Sequence, residues 1–391
     1  MITDRKVINL LAMVLYEVIN HRVSIDVAFK RACKGKCASD LNEREKLYEL
    51  SRKFVSDYFK LLCVTGKKDL SLKKLARIWL KGINKRLTNP ACELSYSEWF
   101  YNRIKELLGD EAYVLLKTMN ERHWWLRINT LLAPEEKVLK MLDNEGVEYE
   151  IDKDYPFMVK IIKSSKPIRL LRPVKEFNAI PQDKASAVVI DALKPQSGDV
   201  ILDMAAAPGM KTSLIMMLTE NKARIIAVDI SIKRLKIMKD LLKRLGVDLS
   251  RVYLVHGDST QFNVRHADKI LLDSPCSNSG AIDKDPGIKI HLSDGKINYY
   301  SNIQRSLLMN ALKLKVEQIV YSTCSIMPEE GEYVIDYVMK NSRDLTIKLV
   351  KEIKWASHGY PVVKFYGNLM RLFPHIHGTE GFFIAKIYVS Q

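Results

Sequence analysis

The sequence predicts an α/β fold whose larger part is a Rossmann-like, doubly wound and mostly parallel sheet. Three observations carry this expectation. From Asp199 onward, short apolar runs alternate with amphipathic segments. The apolar runs have strand length and each ends at or near a polar residue. The segments between them have helical spacing, and such alternation specifies βαβ units.

In chain order, residues 1–90 read as an all-helical domain. Leu10, Leu11, Val14, Leu15 and Val18 recur at i, i+3, i+4 spacing from Asp4 onward, and Leu47, Leu50, Phe54, Val55, Tyr58 and Leu61 do the same. Asp40 is placed to cap a helix that starts at Leu41. The apolar stretch Val7–Tyr16 follows Arg5-Lys6 but runs into Glu17, His21 and Arg22 with no small-residue cleavage site. It is too short to span a bilayer, so it reads as a core helix, with no membrane partner. Lys67–Arg86 carries eight basic residues and one acid, with Leu72, Leu75, Trp79 and Ile83 as an apolar stripe. Alone, such a basic face is a solvated surface; on an enzyme of nucleic acids it becomes a phosphate contact. Thr88-Asn89-Pro90 marks a boundary.

Residues 91–178 mix helical runs (Tyr101–Leu108, Pro134–Asn144) with β-like stretches (Val147–Ile151, Phe157–Ile161), which predicts a small α+β module. Residues 179–391 form the doubly wound domain. Its strands begin at Val200, Arg224, Val252, Lys269 and Gln318, and helices fit Lys211–Leu218, Ile232–Leu245 and Tyr300–Leu314.

The 391 residues are 47% hydrophobic, enough for several buried cores, and 62 Lys+Arg against 46 Asp+Glu leave a net charge of +16. That surplus favours a polyanionic partner without proving one. Six cysteines are too sparse for a disulfide scaffold, which predicts free thiols in a reducing, cytoplasmic setting. Cys33 and Cys37 stand four apart, but no His or Cys pair completes a metal set, so no metal is expected. These two, with Cys63 and Cys92, read as buried thiols.

The chemistry concentrates at strand ends, where ligands collect in a doubly wound sheet. Asp203, Asp229, Asp258, Asp273 and Cys324 all stand there. The first strand leads into Ala205-Ala206-Ala207-Pro208-Gly209-Met210-Lys211-Thr212. With one glycine this is neither a dinucleotide fingerprint nor a Walker loop, so it is poorly built for phosphates. Asp229 is placed to accept two ribose hydroxyls. A nucleoside without phosphates fits, and S-adenosylmethionine is the obvious one.

Two cysteines stand out: Cys276 in Asp273-Ser-Pro-Cys276-Ser, and Cys324 in Tyr321-Ser-Thr-Cys324-Ser. Each follows a strand, and those strands should be neighbours, so the thiols should share one cleft. Carbon 5 of cytosine is a poor nucleophile until something adds at C6, and a thiolate suits that task. A helix start near Pro328 and electropositive surroundings are expected to lower the Cys324 pKa. The proton on C5 must then be removed, and a second group in the cleft, Cys276 being a candidate, could assist. Asp273 could hydrogen-bond the base and favour cytosine over uracil.

At these residues the sequence resembles the Fmu/Sun-type (RsmB-like) RNA cytosine-5 methyltransferases. The matching stretches are Leu202–Thr212, Asp273–Ser277, Tyr321–Ser325, Arg371-Leu-Phe-Pro-His with Gly381–Ala385, and upstream Leu126–Thr130 and Gln182–Ser186. The resemblance implies that Cys324 attacks C6 and Cys276 helps release the product. It also implies that Ala205–Lys211, Asp229, Asp258 and Asp273 line the cofactor site. It further implies that the first domain is a NusB-like RNA-binding domain and the second an RRM-like module. Met210, Ala205 and Asn278 depart from the family's usual Gly, Cys and Gly, and the segment after Gly280 lacks frequent arginines. The expected partner is RNA, with rRNA ahead of tRNA. The competing reading from a different class is a non-catalytic RNA-binding or ribosome assembly factor.

Overall fold

The computed structural model describes residues 5–35, 37–66, 70–314 and 316–390. Asp4 and Lys67–Asp69, which enter the helical and basic-segment expectations above, lie outside the described residues. The chain divides into two compact units: residues up to Arg122 with Ser277–Lys296, and His123–Cys276 with Ile297 onward.

The first unit is helical. Its helices up to Arg122 are α1 (Arg5–His21), α2 (Ile25–Cys33), α3 (Leu41–Ser56), α4 (Tyr58–Thr65), α5 (Leu72–Leu80), α6 (Pro90–Glu93), α7 (Glu98–Leu108) and α8 (Glu111–Thr118). Leu11, Val14, Leu15 and Val18 of α1 are buried against Ile25, Phe29, Phe54, Val55 and Leu75, as their spacing predicts. Asp40 caps α3 by accepting from the Glu43 backbone, while Glu43 accepts from Ser39 N, a reciprocal capping box. Helices α7 and α8 group with this unit, whereas sequence pattern put them in the α+β module.

The free-thiol expectation fails in this unit. Cys33 is disulfide-bonded to Cys37, and Cys63 to Cys92. The left-handed Lys34 that ends α2 turns the chain back, so that Cys37 reaches Cys33. Cys63 on α4 meets Cys92 on α6 because those two helices pack together. Cys276 and Cys324 remain as thiols.

Residues 277–296 fold into the helical unit, which nothing in the sequence pattern announces. Asn278 opens this segment at φ 61°, a left-handed conformation that glycine adopts freely and asparagine tolerates. Asp285 accepts from Ile25 N, Arg52 donates to the Asp283 carbonyl, and His291 bonds the Val18 carbonyl. Lys289 is wholly buried, its ammonium facing Ser56 O, Ser56 Oγ, Ser95 O and Asn120 Oδ1, with the Tyr96 ring 4.3 Å away.

The second unit holds two sheets. The small one is antiparallel, in the order β2 (Glu148–Ile151), β3 (Met158–Lys163), β1 (Trp124–Ile128), β4 (Ala179–Pro181). The large one is doubly wound. Its parallel strands are β5 (Val200–Asp203), β6 (Arg224–Asp229), β7 (Val252–His256), β8 (Lys269–Asp273) and β9 (Gln318–Thr323), and they lie in the order β7-β6-β5-β8-β9. Antiparallel strands complete it: β10 (Thr346–Val350), β11 (Ser357–His358), β12 (Met370–Leu372) and β13 (Phe382–Ser390), with β13 beside β9. The strand order reverses between β5 and β8, so the switch point lies beside the Ala205–Lys211 loop. Arg127 of β1 donates to Ser213 Oγ at 2.8 Å, and Gln182 Nε2 reaches the Met210 carbonyl. The small sheet is thereby pinned to the first turn of the helix Met210–Leu218.

Burial pushes the Lys289 pKa down to about 7, partly offset by Asp57 and reinforced by Arg52. The unfolded chain then binds more protons than the folded one from about pH 7 up to the ordinary lysine range, so stability should rise with pH there. In urea titrations, the wild type should gain on Lys289→Met by about 1 kcal/mol per pH unit between pH 7 and 9. A constant difference would mean that the ammonium is retained by its four acceptors throughout.

Candidate active site

Register decides the geometry. Asp273, the last residue of β8, lies opposite Ser322 of β9, and Ser274 N donates to the Ser322 carbonyl. Cys276 and Cys324 stand three and two residues beyond that rung. Their Sγ atoms are 3.2 Å apart, so the convergence expected from the strand ends holds.

Both cysteine loops are held by buried polar groups. Gln304, on the helix Asp294–Lys313, donates to the Pro275 carbonyl at 2.9 Å and to Glu330 Oε1 at 3.2 Å, which ties one loop to the other. Glu330 accepts from Ser325 Oγ at 2.6 Å, and its carbonyl accepts from Tyr321 and Thr323. Arg371 of β12 is wholly buried and forms a bidentate pair with Glu332, at 2.7 and 2.5 Å. It also donates to the carbonyls of Ser325 and Met327, with the Tyr360 ring 4.2 Å from its guanidinium carbon. Gly331 leaves the room this requires: a Cβ there would lie 2.7 Å from Phe383.

The helix Met210–Leu218 starts directly after the alanine run. Gly209 precedes it at φ 98°, where a Cβ would also fall 2.8 Å from Met238 Cγ, so both backbone and packing require glycine. Ala207-Pro208 is a cis peptide. Asp203, at the end of β5, is buried and accepts from Thr212 at 2.7 Å; burial raises its pKa to about 7. It is a support of the loop. Asp229 is buried at the end of β6, accepting from Ala207 N and Ser231 N and pairing with Arg234 at 3.1 Å. Arg234 also donates to the Ala207 carbonyl. Asp258 lies just past β7, exposed, its Oδ1 bonded to Thr260. Lys211 pairs with Asp273 at 2.5 Å, and Ser322 donates to the other Asp273 oxygen.

These residues suit an adenosine-type cofactor without phosphates. The cations next to the loop, Lys211 and Arg234, are each matched by a carboxylate, which leaves no spare charge for a phosphate. The alanines present no bulk at the carboxyl end of β5, and carboxylates stand at the ends of β6 and β7. Ile230, 70% exposed beside Asp229, adds an apolar surface that sequence pattern did not single out. Gln304, Glu330, Glu332 and Tyr360 were also missed. The first three look like ordinary surface residues of helices until their distant partners are known.

One electrostatic expectation reverses. The Cys324 thiol is pushed well above the ordinary cysteine range by its hydrogen bond with Cys276, by burial, and by the carboxylates of Glu380 and Asp273. The nearest helical turn is the short 3-10 segment Pro328–Glu330, and the α-helix begins only at Glu332, too far along to supply a strong dipole.

Known proteins resemble this chain in sequence and in overall fold. A family model described as 16S rRNA methyltransferase RsmB/F matches residues 190–388. A second, the RsmF/B-like ferredoxin-like domain, matches residues 96–167. A 28S rRNA (cytosine-C(5))-methyltransferase of Mus musculus is 33% identical over 310 residues, covering 75% of this chain and 38% of that protein. The chain thus spans about two fifths of that relative's length. The ribosomal RNA small subunit methyltransferase B of an Escherichia coli strain is 30% identical, over 76% of this chain and 67% of that protein. The crystal structure of PH0851 superposes with a TM-score of 0.81 at 26% identity, covering 99% of each chain.

Two outcomes follow from the site. Alkylation of Cys324 by iodoacetamide, followed by mass spectrometry on the RNA-free protein, should be slow at pH 7 and rise about tenfold per pH unit to pH 9. Cys276→Ala, which removes the largest cause of the raised pKa, should speed it at every pH; a plateau below pH 8 in the wild type would contradict the assignment. Replacing Arg371 by Met should cost about 3–5 kcal/mol in denaturant titrations, because Glu332 is left as an unpaired buried charge. The double replacement with Glu332→Gln should recover part of that loss.

Proposed function

We propose, from the premise that the chain belongs to the RsmB/F family of 16S rRNA methyltransferases, that it methylates carbon 5 of a cytosine in ribosomal RNA. The observation that carries the reading is the pair of thiols 3.2 Å apart at the ends of adjacent parallel strands. The rRNA substrates named for the mouse and bacterial relatives favour rRNA over tRNA.

S-adenosylmethionine is the cofactor of this class, and when bound it supplies an electrophilic methyl group. Ala205, Ala206, Ala207, Pro208, Gly209, Met210 and Lys211 would line it, with Asp229 toward the ribose and Asp258 and Asp273 completing the site. The chain's own residues do the rest. Cys324 releases its proton to solvent and its thiolate sulfur adds to C6 of the cytosine. The C5–C6 double-bond electrons shift to C5, which becomes the nucleophile. After C5 has gained a methyl group, its proton passes to solvent, the C5–C6 double bond reforms and the C6–S bond breaks, returning the electron pair to Cys324. Cys276, which faces the same cleft, assists this release. Asp273 is held in place by Lys211 and Ser322, and it is the carboxylate assigned to accept from the cytosine's amino group.

The raised Cys324 pKa means that the proton must leave on RNA binding. The hydrogen bond with Cys276 is the first cause of that raised pKa, so a substrate that breaks it would lower the barrier to ionisation. The competing reading, an RNA-binding or assembly factor without catalysis, gives no account of two thiols in contact beside an intact cofactor loop.

Tritium transfer from labelled S-adenosylmethionine into separate unmodified rRNA and tRNA pools tests the reaction and its substrate class. Label is expected as 5-methylcytosine in rRNA; label in tRNA alone would move the substrate class, and cofactor binding without any transfer would favour the assembly factor. On denaturing gels, Cys276→Ala should accumulate a covalent protein–RNA adduct. Cys324→Ala should give neither adduct nor product, and an adduct from that variant would exchange the two roles.

A further inference from the structure

The helical unit carries a basic cavity that none of the chemistry above uses. Arg5, Ile8 and Asn9 line one side, at i, i+3, i+4 on α1; Lys73, Arg77, Leu80 and Lys81 line the other, at i, i+4, i+7, i+8 on α5 and its C-terminal cap. The two helices pack against each other, so these faces converge on a cavity of about 370 Å³. Ile8 and Leu80 supply apolar surface and Asn9 a side-chain amide. No carboxylate among the described residues lines it. Among the described residues, Arg5, Lys73, Arg77 and Lys81 take part in no ion pair, and α5 (LKKLARIWL) has no acid along its length. Four like charges gathered on two packed helices repel one another, a cost that a bound polyanion reduces.

We propose that this cavity binds the sugar–phosphate backbone of the RNA, remote in sequence from the residues assigned to catalysis. The proposal rests on the RNA-methyltransferase reading for the identity of the polyanion. The cavity is large enough for more than a lone ion, and its cations on two helices suit successive phosphates of one strand. The contact is sequence-independent, because it engages phosphates rather than base edges.

The test uses the full chain and a fluorescein-labelled single-stranded RNA of 20 nucleotides, with anisotropy read across a salt series. Arg77→Ala with Lys81→Ala should weaken binding roughly tenfold at 0.1 M salt and reduce the slope of log K against log salt by roughly 1.4, or 0.7 per lost phosphate contact. Lys46→Ala with Lys53→Ala on α3 removes the same charge from another face and should do much less. An unchanged slope in the first variant, or an equal loss in the second, would overturn the proposal. Circular dichroism and S-adenosylmethionine affinity, both expected to be unaltered, report that the variants are folded. Tritium transfer by the wild type separates the two ideas. If transfer fails while the first variant still loses RNA affinity, the cavity stands and the reaction falls. If transfer succeeds with an unchanged salt slope in that variant, the cavity falls and the reaction stands.

Discussion

The parallel pairing of β8 with β9, in the register that sets Asp273 opposite Ser322, is the constraint on which the rest of the site depends. A slip of one residue would turn every side chain of one strand to the other face. Asp273 would then lose Ser322, and the two cysteine loops would leave the sheet from mismatched positions. The register is secured from below by apolar burial, since Ile270, Leu271 and Leu272 pack with Ile319, Val320 and Tyr321 in two cores on opposite faces of the sheet. It is secured from above by polar bonds between the strand ends.

Loops beyond a sheet need their own support, and here buried charge provides it at some cost. Arg371 and Glu332 are taken wholly out of water, a penalty that two direct bonds and two further carbonyl acceptors offset. A hydrophobic pair of the same volume would pack as well but could not grip the Ser325 and Met327 carbonyls. The polar solution therefore fixes where the chain goes after Cys324. Gln304 extends the logic, because one amide nitrogen serves both loops and keeps the two thiols in contact.

Much of this was legible from residue pattern, and the exceptions share one cause. Strand ends, the Asp40 cap and the α1 core follow from spacing within a dozen residues, where periodicity and capping chemistry act. Gln304 meets Glu330 26 positions away, Arg371 meets Glu332 39 positions away, and Cys63 meets Cys92 29 positions away. Local pattern holds no information on such pairs. The same limit hid the fold of residues 277–296, whose buried Lys289 finds acceptors at Ser56, Ser95 and Asn120. In sequence that lysine is one of many. The lowered thiol pKa failed for a different reason: it took a turn of 3-10 helix for the start of a dipole and overlooked that the second cysteine is itself a raising neighbour.

The pairing state of cations separates the two kinds of ligand this chain is built for. Beside the alanine loop, Lys211 and Arg234 are paired with Asp273 and Asp229, so the surroundings of the loop are polar but locally balanced. A phosphate would have to displace a carboxylate from a short ion pair, losing about as much as it gained; a neutral ribose and adenine need displace nothing. At the α1–α5 cavity the opposite holds: among the described residues, Arg5, Lys73, Arg77 and Lys81 have no ion-pair partner to give up. The net charge of +16 is therefore unevenly committed. Where charge is neutralised internally the surface selects a nucleoside, and where it is left unmatched the surface selects a phosphodiester backbone, so one chain can hold both without either site capturing the other's ligand.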